Sequence, residues 1–308
     1  MPRSNTLIPF LCIPRPQTNL FRNLYTAYIM SFPFKLFLGF GGVLVGAQQG
    51  GSNEAKEDKF SPAQIRKERD ESGFDPSCFH VCVCGSAGSG KSSLVNAARG
   101  IKNSKEDASA APTGTTETTR ERASYANPRR PKQFLYDTPG HGTQAVSAQR
   151  YYYDQKIYLF DLVIVMYGER LREDDVEILK ACRKNGTEVI LVRSKSDGHL
   201  AGYAEDNDVE IPSAGPGYVG ETTQEMKETL ERVGFENVDA SQPEKPLVYI
   251  VCTENIRNIV NHQPTRREVI HERLLLAMLD KMEYMLVRPM KPAAKAPVVR
   301  TPVKAAKA

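Results

Sequence analysis

Gly85-Ser86-Ala87-Gly88-Ser89-Gly90-Lys91-Ser92 decides how this chain folds, because the octapeptide fits the pattern G-x-x-x-x-G-K-[ST]. A short apolar run, Phe79 to Cys84, leads into it, and the helix-compatible stretch Ser93-Leu94-Val95-Asn96-Ala97-Ala98-Arg99 follows. Strand, loop and helix in that order are what a phosphate-binding loop requires. Glycines let successive backbone N–H groups turn inward around phosphate oxygens, and the helix N-terminus adds partial positive charge. Lys91 is placed to reach the β- and γ-phosphates, Ser92 to coordinate Mg²⁺ through its hydroxyl, and Ser93 to continue the nucleotide-binding turn. A chance Gly/Ser-rich turn would lack the flanking strand and helix.

Two further segments sort the nucleotide. Gln133-Phe134-Leu135-Tyr136 ends at Asp137-Thr138-Pro139-Gly140. An Asp at a strand end beside the phosphate loop can hold Mg²⁺ through water, and Gly140 can offer its N–H to a γ-phosphate. Asp-Thr-Pro-Gly is also ordinary turn chemistry, so the spacing behind the phosphate loop carries the reading. The strand Thr187 to Arg193 then runs into Ser194-Lys195-Ser196-Asp197, a degenerate N/T-K-x-D element. The Asp197 carboxylate can accept two hydrogen bonds from guanine's ring N–H and exocyclic amine, a donor pair that adenine lacks. Lys195 would lay its stem along the base or sugar, and the Ser194 hydroxyl can tie the loop down. A charged loop with a chance Lys and Asp is the alternative, and it would leave an ATP-using enzyme open. Leu247 to Val251 reads as a last strand, placing the backbone of Thr253 near the guanine carbonyl oxygen, although Cys252-Thr253 is a poor match to the usual Ser-Ala or Ser-Asn.

These blocks resemble the immunity-related (interferon-inducible) GTPases. The likeness runs through Val81 to Lys102, Thr113 to Arg122, Phe134 to Gly142 and Phe160 to Asp197, and covers roughly residues 60 to 288 apart from Gly198 to Val219. The resemblance implies that Thr113–Arg122 is the first switch, with Thr119 on the nucleotide and Mg²⁺. It also implies that Glu117 sits where the family makes a nucleotide-facing dimer contact, hence self-association through that face and a part for Glu117 in hydrolysis. His141 departs from the family, which generally has an apolar residue there. It is similar instead to the Pro-Gly-His of translation GTPases, where that His orients or stabilises the attacking water; the alternative is a His pointing away from the site, with Gly142 providing only flexibility. The chain is expected to be a divergent member without the family's C-terminal helical bundle.

Composition constrains the rest. Of 308 residues 40% are apolar, enough for a normal core. Residues 1–53 carry +4 and residues 288–308 carry +6, yet the total is +4, so the body between is −6. The basic balance belongs to the ends and argues against a specific nucleic-acid-binding core. Six cysteines in no paired spacing suggest neither zinc nor a disulfide framework and fit a reducing, GTP-containing compartment such as the cytosol; Cys82 and Cys84 read as small buried hydrophobes on one strand face.

Residues 1–53 are an apolar, basic leader. Leu36 to Ala47 is short for a membrane span and suits a signal-peptide core, with Met30 as an alternative start. Anchor, organelle presequence and wrongly assigned gene start all stay open; membrane association is the expectation. Residues 54–76 are expected as a charged helix, 77–287 as the GTP-binding domain, and 288–308 as a disordered basic tail. Helical apolar spacing marks Asp174–Lys184, Gly220–Val233 and Arg266–Leu286. Tyr151-Tyr152-Tyr153 reads as helix packing rather than a binding platform. Strands alternating with helices predict an α/β domain: a doubly wound, mostly parallel sheet with helices on both faces and nucleotide at the strands' C-terminal ends. The resulting expectation is a GTP/GDP- and Mg²⁺-binding protein. It is either a GTPase whose nucleotide state controls self-association or membrane attachment, or a non-hydrolysing GTP-bound scaffold.

Overall fold

The computed structural model describes residues 60–104, 107–114, 121–141, 147–236, 238–242 and 244–287. Two strands with no polar side at all form the centre of the sheet. All seven residues of β1 (Phe79–Gly85) and all six of β4 (Leu162–Tyr167) are buried. That is the signature of parallel strands covered on both faces. β3 (Arg130–Asp137) pairs parallel with β1 on one side, and β4 pairs with β1 on the other. β5 (Val189–Arg193) and the two-residue β6 (Tyr249–Ile250) extend the sheet in parallel beyond β4. β2 (Ala123–Asn127) closes the opposite edge antiparallel to β3, giving the order β2-β3-β1-β4-β5-β6.

Helices cover both faces. α2 (Lys91–Ala98), α7 (Thr253–Val260) and α8 (Glu272–Val287) pack on one side. On the other lie α1 (Pro62–Glu71), α3 (Ala148–Asp154), α4 (Glu173–Asn185), α5 (Ser196–Asp206) and α6 (Ile211–Arg232). Cys82 and Cys84 are both fully buried on this second face, packed in its apolar cluster. A hydrogen bond with Cys82, then burial, holds the Cys84 thiol well above its ordinary range, so it is packing material and no nucleophile.

α1 is docked through its polar side. Ser61 caps it, accepting from the Gln64 N–H at 3.2 Å while the Gln64 side chain accepts the Ser61 N–H at 2.8 Å. Arg69 then grips Asp161 with two bonds, 2.6 and 3.2 Å, and Asp161 also receives the N–H of His80 in β1 at 2.8 Å. Tyr158 donates to Glu68 at 2.6 Å and stacks on Phe60 at 3.9 Å.

Several elements differ from the sequence expectation. Within 54–76 the described helix covers Pro62–Glu71, where Ser61 and Pro62 start it and Ser72-Gly73 stop it; residues 54–59 lie outside the described residues. α6 begins at Ile211 rather than Gly220. Its buried stripe of Ala214, Tyr218, Thr222, Met226 and Leu230, four residues apart, carries the helix through Pro216 and the glycines around it. α8 begins at Glu272 rather than Arg266, and β6 pairs only two of the five residues from Leu247 to Val251. β2 and α5 had no apolar run to announce them. β2 is an edge strand of alternating exposure, turned back by Asn127, whose side chain accepts the Arg129 N–H at 3.1 Å and donates to Gln133 at 2.9 Å. Among the described residues no helix is long and apolar enough to cross a membrane; Leu36–Ala47 and the tail 288–308 lie outside them.

Candidate functional site

The phosphate loop leaves β1 where β1, β3 and β4 end together. Gly85 has φ of 142°, and a Cβ there would stand 2.0 Å from the carbonyl oxygen of Met166 in β4, so only glycine fits. Gly88 and Gly90 also take positive φ, 76° and 92°. With Gly90 as N-cap, no side chain competes for the first-turn N–H groups of α2, an arrangement that suits an anion. Lys91 is buried and folds back, donating from Nζ to the carbonyl oxygens of Gly85 and Ser86 at 3.0 Å each. Ser93, half-buried, accepts from the Asn103 side chain at 3.1 Å.

Across from the loop, Ser92 Oγ donates to Asp137 Oδ2 at 2.6 Å. Gly140 lies so close that a Cβ on it would come within 2.9 Å of Ala87 backbone atoms. The turn between them is fixed by the tyrosine helix: Tyr151 donates to Thr138 Oγ1 and reaches the Pro139 carbonyl oxygen, both at 2.8 Å. Burial pushes the Tyr151 hydroxyl well above its ordinary pKa, leaving it a donor throughout the working range.

His141 lies beside the phosphate loop, its backbone bridged to Ser86, with its ring turned to the start of α4. Its Nε2 is 2.9 Å from Asp175 Oδ1 at the start of α4, with the two side chains 1% and 0% exposed, and its ring lies edge-on to Tyr151. Asp175 also accepts the Arg172 N–H at 2.9 Å. In this geometry the ring faces a buried carboxylate rather than solvent.

The cleft itself measures about 650 Å³ and is lined by Ser86–Ser89, Tyr167–Glu173 and Lys195. Ser194 joins the two halves of the site, donating to the Ser89 carbonyl oxygen at 2.7 Å. Lys195 follows with left-handed φ of 59° and starts α5, which puts Asp197 in its first turn. Asp197 Oδ2 meets Arg267 Nη1 at 2.6 Å, and Arg267 Nε donates to Glu254 at 3.1 Å. Thr253 opens α7. The N–H of its neighbour Cys252 goes to the fully buried Glu272 at 2.8 Å. Glu117 and Thr119 lie outside the described residues.

The structure thus brings Gly85–Ser92, Asp137 and Gly140 together at one end, with Ser194-Lys195, Asp197 and Thr253 beyond. Sequence reasoning missed Asp175, Glu272, Asn255 and Arg267. Each is a common residue type whose part depends on a partner far along the chain, so no local pattern marks it.

A metal fits the donor set in outline. Ser92 and Asp137 are hard oxygen donors, and Mg²⁺ commonly takes one or two protein oxygens, with waters and phosphate oxygens completing its shell. Among the described residues there is no cluster of three or more His, Cys, Asp or Glu able to hold a metal unaided.

Comparison with known proteins places these features. The interferon-inducible GTPase (IIGP) family model matches residues 57–212, just over half of the chain. Mouse interferon-inducible GTPase 1 is 37% identical over 132 residues, covering 43% of this chain and 32% of that protein. Mouse T-cell-specific guanine nucleotide triphosphate-binding protein 2 is 36% identical over 122 residues, 40% of this chain and 29% of the relative. The chain therefore spans about a third or less of the length of these curated relatives. A solved structure of S. thermophilus NFeoB bound to GDP and AlF4⁻ aligns at a TM-score of 0.37 and 14% identity, over 59% of this chain and 62% of that one. On the family match, the chain belongs to the interferon-inducible GTPase family.

Proposed function

We propose that this chain binds GTP with Mg²⁺ and hydrolyses it, and that the bound nucleotide controls self-association or membrane attachment. The observation that carries the reading is the 2.6 Å bond from Ser92 to Asp137, beside a glycine-built loop with Lys91 folded over it. A Mg²⁺ ion at such a site would offset the charge of the phosphates. Ser92 and Asp137 would hold it, the N–H groups of Gly88 to Lys91 would cradle the phosphates, and Lys91 would exchange its two carbonyl partners for phosphate oxygens. The Ser194–Ser89 bond couples phosphate binding to the loop bearing Lys195 and Asp197, which would read the base.

Self-association would use the nucleotide face, with Glu117 of the first switch across it. Membrane attachment would use Leu36–Ala47, with the basic residues of the leader and tail adding salt-sensitive attraction to anionic lipid. One observation favours a second reading, a GTP-stabilised scaffold without turnover: the His141 ring is buried and faces Asp175 at 2.9 Å.

Single-turnover assays on the full chain with labelled GTP and ATP separate the readings. GTP cleavage rising with protein concentration supports the associating GTPase; Glu117→Ala should lower that dependence more than it lowers affinity. Tight GTP binding without cleavage selects the scaffold. Equal use of ATP removes the guanine-reading role of Asp197. Flotation of the full chain with anionic liposomes at low salt tests the membrane arm, and no flotation would sink it.

A further inference from the structure

The base end contains a charged arrangement that neither the family pattern nor the phosphate loop accounts for. Arg267 comes from the irregular segment between α7 and α8, 70 residues beyond Asp197, yet its guanidinium spans two carboxylates: Asp197 Oδ2 at 2.6 Å and Glu254 Oε2 at 3.1 Å. The backbone bearing it is fixed from beneath. Fully buried Asn255 donates to the carbonyl oxygen of Glu268 at 2.8 Å and approaches that of Arg267 at 3.4 Å. Fully buried Glu272 accepts the N–H groups of Ile270 at 2.7 Å and Cys252 at 2.8 Å. One buried carboxylate therefore sets the position of both the loop after β6 and the segment that delivers Arg267.

We propose that Arg267 is a positioning residue for the guanine-reading carboxylate, holding Asp197 in the orientation that accepts both donors of the base. This rests on the reading of Asp197 given above. An aspartate in the first turn of a helix has a competing use, because its carboxylate can turn back onto the N–H groups of its own helix. Guanine needs both carboxylate oxygens directed outward and in the plane of the base. A guanidinium is always charged and rigid, and a carboxylate oxygen has two lone pairs, so Asp197 Oδ2 can keep Arg267 while accepting from guanine. Glu254 accepts from the Nε of the same guanidinium at 3.1 Å, so Arg267 is itself held by a second carboxylate. The predicted consequence is selectivity: Arg267 strengthens binding in proportion to the number of bonds the base makes with Asp197.

Titration calorimetry of the full chain with GDP, IDP and ADP in Mg²⁺ reads this directly. Hypoxanthine keeps the ring N–H but lacks the exocyclic amine, so IDP makes one of the two bonds and ADP neither. Arg267→Ala should weaken GDP by about tenfold, IDP by about threefold and ADP not at all, in line with charge-assisted hydrogen bonds of ordinary strength. Arg267→Lys should recover only part of the GDP loss, since an ammonium supplies the charge without the fork. Arg267 is half exposed, so its removal leaves the fold intact, and the unchanged ADP value serves as the internal check. A uniform loss across all three nucleotides, an unchanged GDP/IDP ratio, or tighter GDP binding in Arg267→Ala would each overturn the proposal. Asp197→Asn separates the two levels of the argument. If Asp197→Asn alters the GDP/IDP ratio and Arg267→Ala does not, Asp197 reads the base unaided; if Asp197→Asn leaves the ratio alone, the base-reading assignment itself fails.

Discussion

The two parts of the candidate site, the proposed phosphate end and the proposed base end, are built by opposite means. At the phosphate end, eight consecutive residues make most of the site. Gly85 is locked against Met166, Gly140 against Ala87, and Ser92 reaches Asp137 from the neighbouring strand. At the base end, the strands that lead in are β5 and the two-residue β6. There the geometry is held by long-range side chains: Ser194 on Ser89, Glu272 on Cys252, and Arg267 on Asp197. Close backbone approach constrains one end, and long-range side-chain bonds constrain the other. Changes at the phosphate end should therefore act on every nucleotide alike, whereas changes at the base end should act on discrimination.

The sharpest break is Lys91→Ala. If Lys91, now held on the Gly85 and Ser86 carbonyl oxygens, is the cation of the proposed phosphate cradle, nucleotide affinity should fall below detection, by more than about a thousandfold, for GTP, GDP and ATP together. Affinity within a few-fold of wild type, measured by calorimetry, would remove the phosphate site and with it the contrast between the two ends.

His141 tests the seam between the phosphate end and α4. Its ring is buried against Asp175, so a catalytic part requires that pair to open when GTP is bound. If His141 positions the attacking water, His141→Ala should slow single-turnover hydrolysis by about 10²–10³ with GTP affinity unchanged. An unaltered rate assigns the ring to packing against Asp175 and Tyr151.

At the base end, Asp197→Asn should exchange specificity rather than abolish binding. The amide matches the altered edge of xanthine, so xanthosine triphosphate should gain what GTP loses, about 2–4 kcal/mol or roughly 30- to 1,000-fold. Equal losses for both nucleotides would show that Asp197 acts on the fold of α5 and not on the base.

The same contrast explains what the sequence made legible. The order strand, glycine loop, helix could be read at Phe79–Arg99 because each step is local: an apolar run, residues tolerating positive φ, and helix formers. β1 was visible as an apolar stretch for the reason that it is buried on both faces. β2 was not, since an edge strand of alternating exposure has no such run. α6 was legible only from Gly220, although its stripe at intervals of four begins at Ala214, because Gly215, Pro216 and Gly217 outweigh spacing when packing is unseen. Glu272 shows the limit most plainly. In sequence it is one acid in a charged helix start; in the fold it is a fully buried acceptor of two backbone N–H groups. Burial pushes its carboxyl above the ordinary glutamate range, a consequence no local pattern reveals.

The smallest expected effect concerns His271, which completes the short strand of the base end. Its Nδ1 accepts the N–H of Ile250 in β6 at 3.2 Å, and its own N–H returns to the Ile250 carbonyl oxygen at 3.2 Å. Accepting at Nδ1 requires that nitrogen to be unprotonated, and burial holds the ring pKa below its ordinary value. The unfolded chain takes up that proton near pH 6.5, above the folded value, so this contribution to stability is complete above about 6.5 and is lost as pH falls through the lower folded pKa. His80 and His199, also lowered by burial, tilt the curve the same way, while Glu272, with its raised pKa, contributes in the opposite sense at lower pH. Each such histidine can add a slope of at most about 1.4 kcal/mol per pH unit. Urea midpoints measured from pH 7.5 to 5 should fall progressively below about pH 6.5, and His271→Gln should flatten part of that fall. Amide exchange, taken relative to the intrinsic rate at each pH, localises the effect: acid should lower protection at Ile250 before it does so at Val83 in β1, because Ile250 depends on a titrating ring for its partner. Equal loss of protection at both positions would mean that the base end is no more dependent on side-chain bonds than the phosphate end.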